Sequence, residues 1–512
     1  MFKRLSTLML GAGAVLAVSA APLTPNQALS RLSGSATLKS VNKVALNPVL
    51  KYSFADEAGQ AVAYAFEPAQ GSGFMILSAD DIAYPVLGYS ETGKFDKNNM
   101  PEQLVDWIKG YGEEIEYAKS KGITPSTGNI MLTPLSAREA IAPMVKSKWD
   151  QGAPYNNECP TVNGVHCVTG CVATSVAQVM NYFKYPEVGT GVARCTVKGT
   201  SQAPTLNLAE CPFDWSNMLD NYVSGTYNNV QATAVATLMK AAGFAVNMNY
   251  GTDASGAVSM VIANALRNYF NYDAGITFEG RVSYSASEWD EKVYNNIKNG
   301  SPVIYNGNDL TVGHSFICDG YDGKGYYHIN WGWGGMSDGY FLLNALNPEA
   351  LGTGGGVGGG FNFRQGGVFN ICKPGSGQNF PAAGEPTITA YGLLGVSSVT
   401  QDAIGRSVIN VGILEGYGTM SGWLNESSET VKFSVGGVFK DAATGAVVLE
   451  QSGKLGSSYT ISPSPGSYYQ STLKLSVTVP DNLPDGDYKM VASTKNSASA
   501  ITPWVAMKVP YS

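Results

Sequence analysis

Residues 169–183 read Thr169-Gly170-Cys171-Val172-Ala173-Thr174-Ser175-Val176-Ala177-Gln178-Val179-Met180-Asn181-Tyr182-Phe183. Val172, Val176, Val179, Met180 and Phe183 recur at helical spacing, so this stretch predicts a buried helix that Tyr185-Pro186 brings to an end. Cys171 then sits in the first turn. There the unpaired backbone N–H groups and the positive end of the helix dipole favour the thiolate, the reactive form of cysteine. The plainer alternative is a half-cystine or a core thiol at a helix start. A second stretch bears on that choice.

Thr311-Val312-Gly313-His314-Ser315-Phe316-Ile317-Cys318-Asp319-Gly320 opens an apolar strand with a histidine. Asp322-Gly323-Lys324-Gly325 signals a tight turn, and Tyr326-Tyr327-His328-Ile329-Asn330-Trp331 returns as a second strand. With the turn centred near Gly323–Lys324, pairing places His314 opposite Trp331 to Trp333. A base and a group that orients or shields it would then share one rigid hairpin, with Asn330, Trp331 and Trp333 as the candidates. Side chains alternate faces along a strand, so the register decides whether Asn330 or Trp331 shares the face of His314.

The chain around these motifs is long enough for about three domains at roughly 150 residues each. Net charge is -7, from 33 Lys+Arg against 40 Asp+Glu, and no polybasic run appears, which argues against a nucleic-acid footprint. Apolar residues at 44% exclude a disordered chain, and 60 Gly with 25 Pro point to loops and strands over a helical bundle. The three histidines are His166, His314 and His328, so a base working near neutral pH comes from a short list.

The N-terminus, MFKRLSTLMLGAGAVLAVSA, has Lys3 and Arg4 ahead of a short apolar stretch from Leu8 to Val18. Small residues at Val18 and Ala20 precede a cleavage site, so residues 1–20 predict a signal peptide and an exported protein without a membrane span. In an oxidising compartment, the seven cysteines (Cys159, Cys167, Cys171, Cys195, Cys211, Cys318 and Cys372) leave at least one thiol unpaired. Pairs such as Cys159–Cys167 or Cys195–Cys211 are compatible with the spacing, which does not establish connectivity. All seven fall in the middle of the chain, marking a chemically distinct domain.

Before that domain, Ala61-Val62-Ala63-Tyr64-Ala65-Phe66 and Gly73–Ser78 read as two strands joined through Pro68–Gly71. After Met100-Pro101, Leu104, Trp107, Ile108, Tyr111 and Ile115 fall at helical spacing, and Lys119 to Ser126 reads as a polar linker. This is a small α+β unit with neither Cys nor His. Beyond Pro374 the chain turns β-rich, with segments at Arg406–Leu414, Thr430–Val438, Ala446–Leu449, Thr472–Val479 and Tyr488–Ser493, the pattern of a β-sandwich.

Thr169-Gly170-Cys171-Val172-Ala173-Thr174, Gly313-His314-Ser315-Phe316 and Asn330-Trp331-Gly332-Trp333-Gly334-Gly335-Met336-Ser337-Asp338-Gly339 resemble the streptopain family of papain-like cysteine peptidases. The likeness continues through Ala345-Leu346-Asn347-Pro348 and the glycine run that follows. It implies an α+β fold: a papain-like two-subdomain catalytic domain, with a helical half carrying Cys171 and a sheet half carrying His314. A small α+β prodomain would precede it and an all-β sandwich domain would follow. It further implies Cys171 as nucleophile, His314 as general base and Gln151 as the amide that donates to the oxyanion. A neutral amide suits that task, because it stabilises negative charge without competing for the proton of the histidine. Papain-like sites in general use an asparagine as the third group, and the streptopain resemblance brings in a tryptophan. Asn330 and Trp331 therefore compete, with the resemblance favouring Trp331. Ser255, Gly256 and Gly313 are candidates for the substrate-binding wall, glycines there allowing close backbone approach.

The expectation is thus an exported cysteine endopeptidase made as a zymogen, with residues 1–20 as signal peptide, 21–141 as inhibitory propeptide, 142–374 as peptidase and 375–512 as sandwich. Its partners would be protein or peptide substrates and its own propeptide. Neither metal nor cofactor is expected. His166 with Cys167 and Cys171 lacks a fourth metal ligand and reads as structural, as does His328, a packed strand histidine. The glycine run 354–360 lacks the Lys-Ser/Thr pair of a phosphate loop and by resemblance is a mobile loop beside the cleft. Two rival readings are a hydrolase of another amide bond, such as a cell-wall amidase, and an adhesion protein working through the sandwich.

Overall fold

The computed structural model describes residues 21–32, 47–120, 138–307, 314–346 and 365–507, apart from short internal stretches at 94, 282–283, 285, 377, 379, 381–386, 392, 416–421, 426–429, 465–466 and 498–502. The predicted signal peptide, the position of Gly313 and the glycine run 354–360 lie outside the described residues.

The organising element is a ten-stranded antiparallel sheet. Its strands run in the order Pro48–Ala55, Ala61–Pro68, Phe74–Ser78, Val86–Ser90, Gly339–Phe341, Tyr327–Asn330, His314–Tyr321, Val303–Gly307, Gly366–Phe369 and Thr277–Gly280. The predicted strands at 61–66 and 73–78 are present and pair antiparallel, Tyr64 opposite Leu77 and Phe66 opposite Met75. The strands Pro48–Ala55 and Val86–Ser90 complete a four-stranded meander. Sequence composition suggests a free-standing N-terminal unit. Instead, Tyr340 pairs with Tyr89 and Phe341 with Gly88, so the meander continues the sheet of the central unit.

Both faces of the sheet are covered over its inner strands, which is why those strands read as nearly continuous apolar runs, whereas the edge strand Pro48–Ala55 is largely exposed. Neighbouring residues divide between two cores. Ile304 and Ile317 face a core with the Cys171 helix, while Tyr305, Phe316 and Trp331 face a second core with Trp107 and Tyr111 of the N-terminal unit. Trp107 stands edge-on to Tyr305 and Phe316, each at 5.5 Å between ring centroids. Its helix runs from Glu102 to Ser120 and buries Leu104, Ile108 and Ile115 as the periodicity predicts. Of the expected linker, Lys119 to Ser126, the first two residues are still helical and the rest lies outside the described residues. Lys119 pairs with Asp80 at 2.6 Å.

Among the described residues, the chain from 387 onward is all-β. Strands Ser407–Glu415, Phe433–Asp441, Leu475–Thr478 and Tyr488–Asn496 fall close to the predicted segments. Small antiparallel sheets close around Trp423, Phe433, Val435 and Leu475. Mixed α/β for the first two units and all-β for the third is the predicted class. Among the described residues no helix is long and apolar enough to cross a membrane.

All seven cysteines are thiols, in keeping with at least one unpaired, and neither of the two pairings compatible with the spacing forms. Six are buried, and burial pushes the Cys159 and Cys195 thiols up to about 12. They behave as small hydrophobes in the core. Cys171 is the exception in exposure, half-buried at its helix start.

Candidate active site

The helix Cys171–Phe183 begins where the sequence pattern starts. Gly170, with φ of 83°, is its N-cap and offers no capping side chain, so the first-turn N–H groups are left to the Cys171 end. A side chain at Gly170 would also strike Met248 and the Ser255 carbonyl, the latter at 3.0 Å. Thr174 Oγ1 donates to the Gly170 carbonyl at 3.1 Å and stiffens the turn. The helix packs against the strand His314–Tyr321, and the Ser315 N–H donates to Cys171 Sγ at 3.4 Å. Cys171 and His314, 143 positions apart in sequence, thus meet where a helix start faces a strand start.

His314 is held from two sides. Its Nε2 lies 2.9 Å from Asp106 Oδ2, on the N-terminal helix Glu102–Ser120. Burial alone would lower its pKa, but hydrogen bonds to Asp106 and Cys171, with their charges, outweigh burial and raise it to about 10. The imidazole is therefore a cation clamped by a carboxylate from the N-terminal unit. Asp106 is absent from the predicted site. In sequence it is one more acid on a mostly solvated helix face, and only its position one residue before Trp107 brings it to the cleft.

The hairpin register separates the two candidates for the third group. Ile317 pairs with Asn330, which continues to Phe316 opposite Trp331. Residues opposite one another share a face, so Trp331 lies on the face of Phe316 and His314, and Asn330 on the other. The Phe316 and Trp331 rings are 4.9 Å apart, and Phe341 packs on Trp331 from 5.1 Å. The indole N–H is already spent on the Ser337 carbonyl at 3.0 Å. Asn330 is buried and bonded on the opposite face. Its Nδ2 donates to the Ser147 carbonyl at 2.8 Å and to Gln178 Oε1 at 3.3 Å. Gln178, fully buried, also accepts from Ser147 Oγ and the Trp149 N–H. This amide pair joins the Cys171 helix to the hairpin and to the segment leading to Gln151.

Gln151 is placed by its backbone: its carbonyl accepts from the Thr169 N–H at 3.1 Å, and its N–H donates to Asp150 Oδ1 at 2.6 Å. It is half-buried beside the turn that leads into Cys171. Ser255 reaches the same turn, but its hydroxyl donates to the Val168 carbonyl at 2.7 Å and accepts from the Gly251 N–H at 3.0 Å, which gives it a bracing task. Gly256 faces open space, with no atom within 4 Å of an added Cβ.

The remaining histidines lie elsewhere. His166 Nδ1 is 3.0 Å from the Cys159 carbonyl oxygen, and among the described residues no group of three or more His, Cys, Asp or Glu side chains could hold a metal. His328 pairs with the fully buried Asp319 at 2.6 Å and packs on Tyr340, under the hairpin as predicted.

A thiol at a helix start facing an imidazole at the start of a central strand defines a cysteine peptidase of papain-like architecture. Comparisons with known proteins give the same answer. Residues 149–341 match the model of the Peptidase C10 family, and residues 15–115 match that of the Spi protease inhibitor. Streptopain of Streptococcus pyogenes is 35% identical over 375 residues, covering 68% of this chain and 90% of streptopain. The thiol protease/hemagglutinin PrtT of Porphyromonas gingivalis is 35% identical over 353 residues, and there the chain spans only 40% of the relative's length. A solved fragment of Prevotella intermedia prointerpain A superposes with a TM-score of 0.51 at 31% identity, covering 63% of this chain and 98% of that one. The chain belongs to the peptidase C10 family, and it is a cysteine peptidase zymogen carrying its inhibitor segment in the same polypeptide.

Proposed function

We propose that the chain is an exported cysteine endopeptidase in which Cys171 attacks the scissile carbonyl and His314 moves the proton. The thiolate adds to the carbonyl carbon, and the oxyanion is met by the Gln151 amide and the backbone N–H of Cys171. His314 then protonates the leaving amine, and the C–N bond breaks to leave a thioester. Water, giving its proton to His314, hydrolyses that thioester and returns the thiol. Trp331 packs the hairpin face on which the imidazole stands.

The observation that carries this reading is that Cys171 and His314 meet while Asp106, from the inhibitor segment, holds the imidazole. An imidazolium locked to a carboxylate neither takes up nor returns a proton, so the contact supports latency as well as mechanism. We assign residues 1–20 to a signal peptide, 21–141 to a removable propeptide, 142–374 to the peptidase and 375–512 to a β-sandwich without an assigned task. Release needs more than one backbone cut, because the propeptide shares the sheet and inserts Trp107 and Tyr111 into the second core. Tests on casein and peptidoglycan, wild type beside Cys171→Ala, separate the endopeptidase from an amidase. Modification of Cys171 by an epoxide-type thiol inhibitor separates either from an adhesion protein.

A further inference from the structure

The segment that enters the central unit does so through an arginine. Arg138 Nη2 pairs with Asp290 Oδ2 and donates to the Tyr327 hydroxyl at 3.2 Å. Its guanidinium lies over the Tyr294 ring at 4.2 Å and the Tyr321 ring at 5.0 Å. Asp290, 9% exposed, also accepts from the Tyr327 hydroxyl at 2.8 Å. Burial pushes its carboxyl up, against the opposing pull of Arg138 and Tyr327. All four walls belong to the helix Ala286–Lys298 and to the two strands of the hairpin. The arginine comes with an ordered backbone. The Tyr294 hydroxyl donates to the Glu139 carbonyl at 3.2 Å, and Ile141 exchanges backbone bonds with Tyr321 at 2.7 and 2.8 Å.

A buried carboxylate, a phenol acceptor and two ring faces form a receptor for a planar cation, which they recognise by charge, fork geometry and stacking. Tyr321 ends the strand that His314 begins, so the box lies roughly 20 Å from the catalytic pair at the rise of an extended strand. It is no part of the cleft.

We propose that Asp290, Tyr294, Tyr321 and Tyr327 form a guanidinium-binding site of the peptidase unit that reads an arginine side chain on an extended peptide, filled here in cis by Arg138. Its task is to dock the junction between inhibitor and peptidase in one register. A cut on the C-terminal side of Arg138 leaves the box open to an arginine of another extended peptide. The binding chemistry does not depend on Cys171, so failure of the peptidase reading leaves it untouched.

The test uses the full-length Cys171→Ala chain. With Arg138→Ala added, tens of millimolar methylguanidinium should raise the thermal midpoint saturably, by roughly 2–4 °C. The same probe should do nothing to the chain that keeps Arg138 or to one carrying Arg138→Ala with Asp290→Asn, and methylammonium should not replace it. Should the Arg138→Ala chain fail to fold, trypsin reports on Arg138 itself. Its Arg138–Glu139 bond should be cut at least about tenfold more slowly than in an Asp290→Asn chain, since a clamped arginine cannot enter a protease pocket. A probe that stabilises all chains alike, or equal trypsin rates with and without Asp290, overturns the proposal.

Discussion

His314 Nε2 and Asp106 Oδ2 stand 2.9 Å apart, one on the strand that faces the Cys171 helix and the other on the helix of the inhibitor segment. Under the proposed mechanism the pair joins latency to the imidazole that moves the proton. A histidine whose pKa rises from 6.5 to about 10 on folding adds stability that is fully present below pH 6.5 and fades as pH climbs towards 10. In full-length Cys171→Ala, which lacks the thiol contribution, NMR titration should still find His314 above its ordinary value. Asp106→Asn should bring it down. With Cys171 intact, Asp106→Asn should speed self-processing of the purified chain. An unchanged titration would remove the clamp.

Glu114, two turns further along the same helix, makes a prediction of the same sign in a lower pH window. Its Oε2 accepts from the Ala345 N–H at 2.7 Å and its Oε1 from the Leu346 N–H at 3.2 Å. Burial outweighs these bonds and raises its pKa from 4.5 to about 7. A folded carboxyl that holds its proton longer than the unfolded one costs stability as pH rises from 4.5 to 7. The thermal midpoint of the Cys171→Ala chain relative to its Glu114→Gln partner should therefore fall across that window and level off outside it. A constant difference would mean that Glu114 does not titrate there.

The hairpin faces give a third prediction. Trp331→Ala empties a site packed by Phe316 and Phe341, at a cost of about 3–5 kcal/mol, and by loosening the His314 strand should lower turnover on the order of a hundredfold. Asn330→Ala strands Gln178 and the Ser147 carbonyl and should cost about 1–3 kcal/mol of stability, with a smaller effect on turnover. Denaturation midpoints alongside kcat for both variants separate the two roles. The reverse ranking in turnover would return Asn330 to the catalytic group.

These contrasts mark what the sequence could disclose. The Cys171 helix, the His314 hairpin and the helix after Pro101 were legible because each is set by local periodicity or a tight turn. The choice between Trp331 and Asn330 needed the register, which rests on a pairing that sequence spacing only brackets. Asp106, Glu114 and the Arg138 box were not legible. Their partners lie some 150 to 230 positions downstream, and in the sequence they are ordinary charges on a helix and a linker. The sharing of one sheet by Tyr89 and Tyr340 was hidden for the same reason. The odd cysteine count required at least one free thiol, and Cys171 is one, but parity could not say that the buried cysteines are thiols as well.

A shared sheet and the buried Trp107 predict that cutting the junction does not by itself free the peptidase. Trypsin cleavage of full-length Cys171→Ala between the helix Glu102–Ser120 and Arg138 should yield two fragments that co-elute on size exclusion at neutral pH. Trp107→Ala should let them separate. Immediate separation of the unsubstituted fragments would mean that the sheet and core contacts contribute little.

The central claim is that Cys171 is the nucleophile of a self-processing endopeptidase, and it is tested by incubating purified full-length wild type and Cys171→Ala side by side, alone and with casein. Mass spectrometry should find the wild type cut ahead of the peptidase unit, near 138–142, and casein degraded. The Cys171→Ala chain should stay intact with its casein untouched. Processing or casein cleavage by Cys171→Ala at a rate near that of wild type would contradict the account.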